Sequence, residues 1–155
     1  MTPAIAQAIV DAMAATHAAL LALGEPPPES DREARAAFLA RATDAQAPLW
    51  ALADGVGPAR GQGWLIAARY IAIGVWAPEI IPTRRGLGPP ALRRPVIAVS
   101  DSYGAIMGDG FIVTLDQSAA DIVERWRHAV DRSLLAAEER LALVKQLLAA
   151  QGTTP

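Results

Sequence analysis

The residues of this chain that could do chemistry are gathered in one stretch. Residues 78–95 read Pro-Glu-Ile-Ile-Pro-Thr-Arg-Arg-Gly-Leu-Gly-Pro-Pro-Ala-Leu-Arg-Arg-Pro, placing Arg84, Arg85, Arg93 and Arg94 in one Pro/Gly-rich basic loop. A guanidinium is a planar fork of donors that suits carboxylate or phosphate, so the four arginines are candidate contacts for an anion or an acidic partner. The prolines between them restrict the loop and would let it present a fairly fixed surface. No aromatic side chain interleaves with the arginines, so base stacking is not indicated. The bland alternative is a solvated loop whose arginines pair with nearby acids such as Glu79 or Asp101.

The loop feeds an apolar run that ends in Ser100, Asp101, Ser102 and Tyr103. Asp101, Ser102 and Tyr103, with a nearby arginine, form the alternative candidate site, that of a small enzyme or an anionic-ligand-binding domain. The string Val96-Ile97-Ala98-Val99-Ser100-Asp101-Ser102 resembles the first block of the Gly-Asp-Ser-Leu hydrolases, in which a serine nucleophile follows the first strand. The resemblance covers about seven residues. It departs from the pattern at Ser100, where glycine is expected, and no Asp-x-x-His follows downstream. Too little chain remains after Ser102 for the α/β sheet of such an enzyme. The glycines of 55–63 lack the Gly-Lys-Ser/Thr of a phosphate-binding loop and read as a flexible connection.

Composition narrows the choices further. At 155 residues, 52% of them apolar, the chain forms one domain able to bury a core. A net charge of −2 gives no global attraction for nucleic acid or anionic membranes, so neither is an expected partner. With no cysteine and only His17 and His128, neither thiolate chemistry nor a multi-histidine metal site is expected, and no cofactor is implied. His17 reads as a boundary residue of its helix, and His128 as half of a surface pair with Glu124. The start Met-Thr-Pro-Ala-Ile-Ala-Gln has no basic region and its apolar run is interrupted by Asp11, so no signal peptide is expected. Trp64 to Ile81 is the best candidate for a membrane span, but Arg69, Pro78 and Glu79 make a core segment the better reading.

The elements that must position these residues follow from pattern. Thr2 and Pro3 open a helix whose stripe is Ile5, Ile9, Met13, Thr16, Leu20 and Leu23, closing at Gly24. Ser30 and Glu33 read as a capping box for a second helix, which Pro48 breaks near Asp44 to Ala47, leaving a short helix to Ala53. Trp64 to Trp76 reads as a strand or a bent pair of strands. Val96 to Met107 and Phe111 to Leu115 read as a hairpin turning at Gly108-Asp109-Gly110. From Ser118 to about Ala150 one long helix carries the stripe Val123, Trp126, Val130, Leu134, Ala137, Leu141, Val144 and Leu148. Leu134, Leu141 and Leu148 are expected to pack on their own domain, while Leu135 and Leu143, off the stripe, reach another surface.

The expected architecture is therefore α+β: a helical layer over 2–54, a small, mostly antiparallel sheet over 64–116 containing the 78–95 loop, and a long C-terminal helix over 118–150. The expected role is a non-catalytic assembly or adaptor subunit that self-associates or docks into a larger protein complex, such as a virion or other multiprotein particle. It would sit in the cytoplasm or within a soluble assembly.

Overall fold

The N-terminal helix, α1 (Pro3–Ala22), starts where its sequence says it should. Thr2 is extended, its hydroxyl accepts from the Ile5 amide at 3.3 Å, and Pro3 occupies a first-turn position that needs no N–H donor. Ala6, Ile9, Met13, Thr16 and Leu20 recur every three or four residues and are buried as one stripe. The helix ends before Gly24, whose φ of +76° favours glycine over any residue with a Cβ. By length and composition α1 is apolar enough to cross a membrane, and its buried stripe lies in the core of the fold. The computed structural model describes residues 1–52, 62–68, 71–82, 89–101 and 110–151.

Helix α2 (Arg32–Ala45) is capped by Asp31 rather than by the Ser30–Glu33 box: the Asp31 carboxylate accepts from the Ala34 amide at 2.9 Å. A carboxylate at this position satisfies a free amide and also meets the positive end of the helix dipole. Phe38 and Ala42 are its buried residues. The break expected ahead of Pro48 falls at Gln46, and the short helix α3 runs only over Ala47–Trp50. Gln46 is buried, and its side-chain amide donates to the Trp76 carbonyl at 3.2 Å, tying the helical layer to the sheet.

The sheet contains β1 (Gln62–Ala68), β2 (Ile71–Trp76), β5 (Ile97–Asp101) and β6 (Gly110–Val113) in the order β1-β2-β5-β6, every pair antiparallel. The described parts of the apolar run 64–76 are thus a pair of strands, and within the membrane-span candidate 64–81 residues 64–68, 71–76 and 80–81 are strand. Register aligns Ile73, Val99 and Phe111 in one row and Val75, Ile97 and Val113 in the next, all buried. These rows share one hydrophobic cluster with Ala6, Ile9 and Met13 of α1, Leu49 of α3, and Ile122, Trp126 and Ala129 of the C-terminal helix. The intervening row, Gly74, Ala98 and Ile112, lies on the other face, where Ile112 is exposed.

Two expectations about the sheet are corrected. Gly110 pairs with Ser100 and so belongs to the ladder rather than the turn, while Gly108 and Asp109 lie outside the described residues. The 78–95 segment is not wholly a loop either. Within it, β3 (Ile80–Ile81) and β4 (Ala91–Leu92) pair as a small antiparallel ribbon, Ile80 with Leu92 and Ile81 with Ala91.

The last element, α4 (Ala119–Gln151), has 33 residues and is roughly 50 Å long at 1.5 Å per residue. Ile122, Trp126 and Ala129 are buried, and Val123 and Val130 are partly buried against the core. Beyond that point the home packing ends. Leu134, Leu141 and Leu148, expected to pack on their own domain, are as exposed as Leu135 and Leu143. The α+β arrangement of N-terminal helices, small antiparallel sheet and long C-terminal helix is as the sequence predicts.

Candidate functional site

The start of α4 is held firmly. Ser118 and Asp121 cap each other reciprocally: the Asp121 amide donates to the Ser118 hydroxyl at 3.2 Å, and the Asp121 carboxylate accepts from the Ser118 amide at 2.9 Å and from its hydroxyl at 2.6 Å. The Ser118 hydrogen bonds hold the Asp121 carboxyl below the usual carboxylate range. In the turn just before it, the Thr114 hydroxyl donates to Asp116 and lowers that carboxyl in the same way. Nearly two turns into the helix, the Arg125 guanidinium donates to the Ile112 carbonyl at 2.8 Å and lies 4.8 Å above the Phe111 ring. The Ser-x-x-Asp spacing would have revealed the cap from sequence. Nothing in the sequence revealed the Arg125 contact, which depends on how α4 crosses β6.

The distal half of α4 is different. Leu134, Leu135, Leu141, Leu143, Val144, Leu147 and Leu148 are 49–63% exposed. Single exposed leucines are ordinary, but Leu134, Leu141, Val144 and Leu148 are separated by steps of seven, three and four and so form one exposed apolar stripe, flanked by Leu147. The charged residues there are Glu138, Glu139, Arg140 and Lys145, two acids and two bases, all exposed. Leu135 and Leu143, read from sequence as contact residues, are equally exposed but stand off this stripe.

The arginine segment is partly spoken for. Arg93 pairs with Glu79 at 2.9 Å, and its amide donates to the Glu79 carbonyl at 2.8 Å, so β3 and β4 are closed by both backbone and side chain. This is the internal pairing weighed against a partner contact, and it engages Arg93. Arg94 is exposed, and Arg84 and Arg85 lie outside the described residues. Asp101 ends β5, paired with Ile71, and Ser102 and Tyr103 lie outside the described residues. Arg93 and Arg94 precede the other end of β5, whose five residues span roughly 13 Å. The described backbone therefore places Arg93 and Arg94 before one end of β5 and Asp101 at the other.

Two of the clefts among the described residues are open to solvent. One, of about 650 Å³, lies between the end of α1 and the ribbon, lined by His17, Leu20, Leu21, Pro26, Leu92 and Arg94 among others. The other, of about 880 Å³, runs beside β6 and α4 past Phe111, Arg125, His128 and Leu135. His128 lies 3.9 Å from Glu124 on the exposed helix surface, as the i,i+4 spacing predicts. Among the described residues no group of three or more His, Asp and Glu side chains is arranged to hold a metal ion. Compared with known proteins, the chain matches no protein-family model, no curated protein and no solved structure.

Proposed function

We propose that this protein is a non-catalytic assembly subunit: a folded α+β body that offers the distal half of α4 for self-association or for docking into a larger protein complex. The observation that carries this reading is the half-exposed apolar surface from Leu134 to Leu148. Burying one such leucine contributes roughly 1.5–3 kcal/mol before the costs of association. A helix of this length without packing is only marginally stable in water, so a partner would also secure its helical form. A protein surface is a better match than a lipid one, because helices that lie on membranes carry a strongly basic polar face. Here the acids and bases balance.

Light scattering over a range of concentrations tests the reading. Wild type should show a mass above one chain, rising with concentration. Leu141→Glu with Leu148→Glu should return it to a single chain while leaving circular dichroism and the unfolding midpoint of the body unchanged. A wild-type mass of one chain at every concentration would remove self-association.

A further inference from the structure

We propose that the distal half of α4 is occupied by the same segment of a second copy, running antiparallel to it. This rests on the self-association reading above and adds the partner and its orientation. From the edge of the core outward, Val130, Leu134, Ala137, Leu141, Val144 and Leu148 are separated by steps of four, three, four, three and four. That is the heptad seam of a two-helix coiled coil, with Leu134, Leu141 and Leu148 at a and Val130, Ala137 and Val144 at d. The seam is continuous with the stripe that packs at home, since Val130 is the residue still partly covered by the core.

The flanking positions decide the orientation. Glu138 and Lys145 stand at e, and Arg140 and Leu147 at g. In a parallel pair, g of one helix faces e of the next heptad on the other. Arg140 would then face Lys145 twice, two repulsions between like charges. In an antiparallel pair, e faces e and g faces g. With Leu141 set against Val144 and Leu148 against Ala137, Glu138 of one copy falls opposite Lys145 of the other, and the pair recurs by symmetry. The same register sets Arg140 against Leu147, where the aliphatic stem of the arginine covers the leucine. The layers Leu141 with Val144 and Leu148 with Ala137 each join a leucine to a smaller apolar residue, and Leu134 falls opposite Gln151 at the end of the seam, whereas a parallel pair would set Ala137 against Ala137 and leave that layer underfilled. The two-fold axis falls between residues 142 and 143, so the Val130 positions of the two copies lie roughly 37 Å apart at 1.5 Å per residue, leaving room for both bodies.

The chain has no cysteine, so single cysteines report proximity directly. Leu148→Cys alone should give no covalent dimer on mild oxidation. In the antiparallel pair its two copies are offset by eleven residues, about 16 Å, while a disulfide needs Cα atoms within about 7 Å. An equimolar mixture of Ala137→Cys and Leu148→Cys should give the mixed covalent dimer. As an arm without oxidation, Lys145→Glu should raise the dissociation constant about tenfold, and adding Glu138→Lys should restore it. A covalent dimer from Leu148→Cys alone, or tighter association of Lys145→Glu, would overturn the antiparallel pairing while leaving self-association intact. Wild type that stays a single chain would overturn both.

Discussion

The two halves of α4 carry the same kind of apolar stripe and meet different fates. From Ile122 to Val130 the stripe fills a groove between α1 and the sheet, and Trp126 is only 8% exposed. From Leu134 to Leu148 nothing in the described chain covers it, and Leu148 is 63% exposed. The backbone is helical throughout, so the contrast is not one of local structure. It shows that helical periodicity reports which side of a helix is apolar, and that only the extent of the rest of the fold decides where the covering stops.

The largest test of this contrast is to cut the same kind of contact in each half. Ile122→Ala should cost about 2–5 kcal/mol in urea unfolding, because it leaves a cavity in a closed cluster. Leu141→Ala, measured at concentrations low enough for single chains, should change the same transition by less than about 0.5 kcal/mol. Equal losses would mean that the distal half is packed within its own chain.

The helix cap offers a smaller and sharper comparison. Ser118→Ala removes half of the reciprocal cap and should lower global stability by about 1 kcal/mol. Ala142→Gly weakens the distal half by a similar intrinsic amount. It should appear as faster local hydrogen exchange around residue 142, with no shift in global unfolding. Acidity should act on the anchored end. The folded Asp121 and Asp116 carboxyls titrate below their usual range, so their contribution is present above the unfolded-state pKa and is lost as pH falls through the lower folded values. The difference between wild type and Ser118→Ala should therefore narrow on acidification, and a difference that is constant across that window would show that the carboxylate has no part in the cap.

The smallest effect is expected far from α4. The Arg93–Glu79 pair is about half exposed on both sides, and such pairs contribute between zero and about 1 kcal/mol. Arg93→Glu should stay within that range in thermal unfolding and leave the mass in solution unchanged. A loss of association in this variant would move the contact surface from the helix to the ribbon.

Much of this architecture was legible because it is written in local chemistry. Thr2-Pro3, the break before Pro48 and the stripe of α1 each have a mechanism confined to a few residues. The run 64–76 was harder, because its alternation is one of size rather than polarity. Ile71, Ile73 and Val75 alternate with Ala72 and Gly74, and a scale that scores all five as apolar conceals the strand. The site was less legible still. Leu135 and Leu143 stand off the stripe and so read as the contact residues, whereas Leu134, Leu141 and Leu148 on the stripe are just as exposed. Sequence spacing could not reveal that, among the described residues, the core packed against α4 extends no further along it than Val130. Nor could it show Arg93 turning back on Glu79, a contact made by the β3–β4 register.

The hydrogen bond from Arg125 to Ile112 bears on whether a further strand can add to the sheet. β6 is an outer strand of the sheet, and outer strands invite further strands to add without limit, the route to ribbons and fibres. Here a charged side chain from α4 already occupies a carbonyl of that strand and lies across its phenylalanine. A newcomer seeking that carbonyl would first have to displace a charge-assisted bond and strip Phe111 of its cover. The same helix that exposes leucines at one end therefore guards an edge of the sheet at the other, where any strand added to β6 would compete with Arg125.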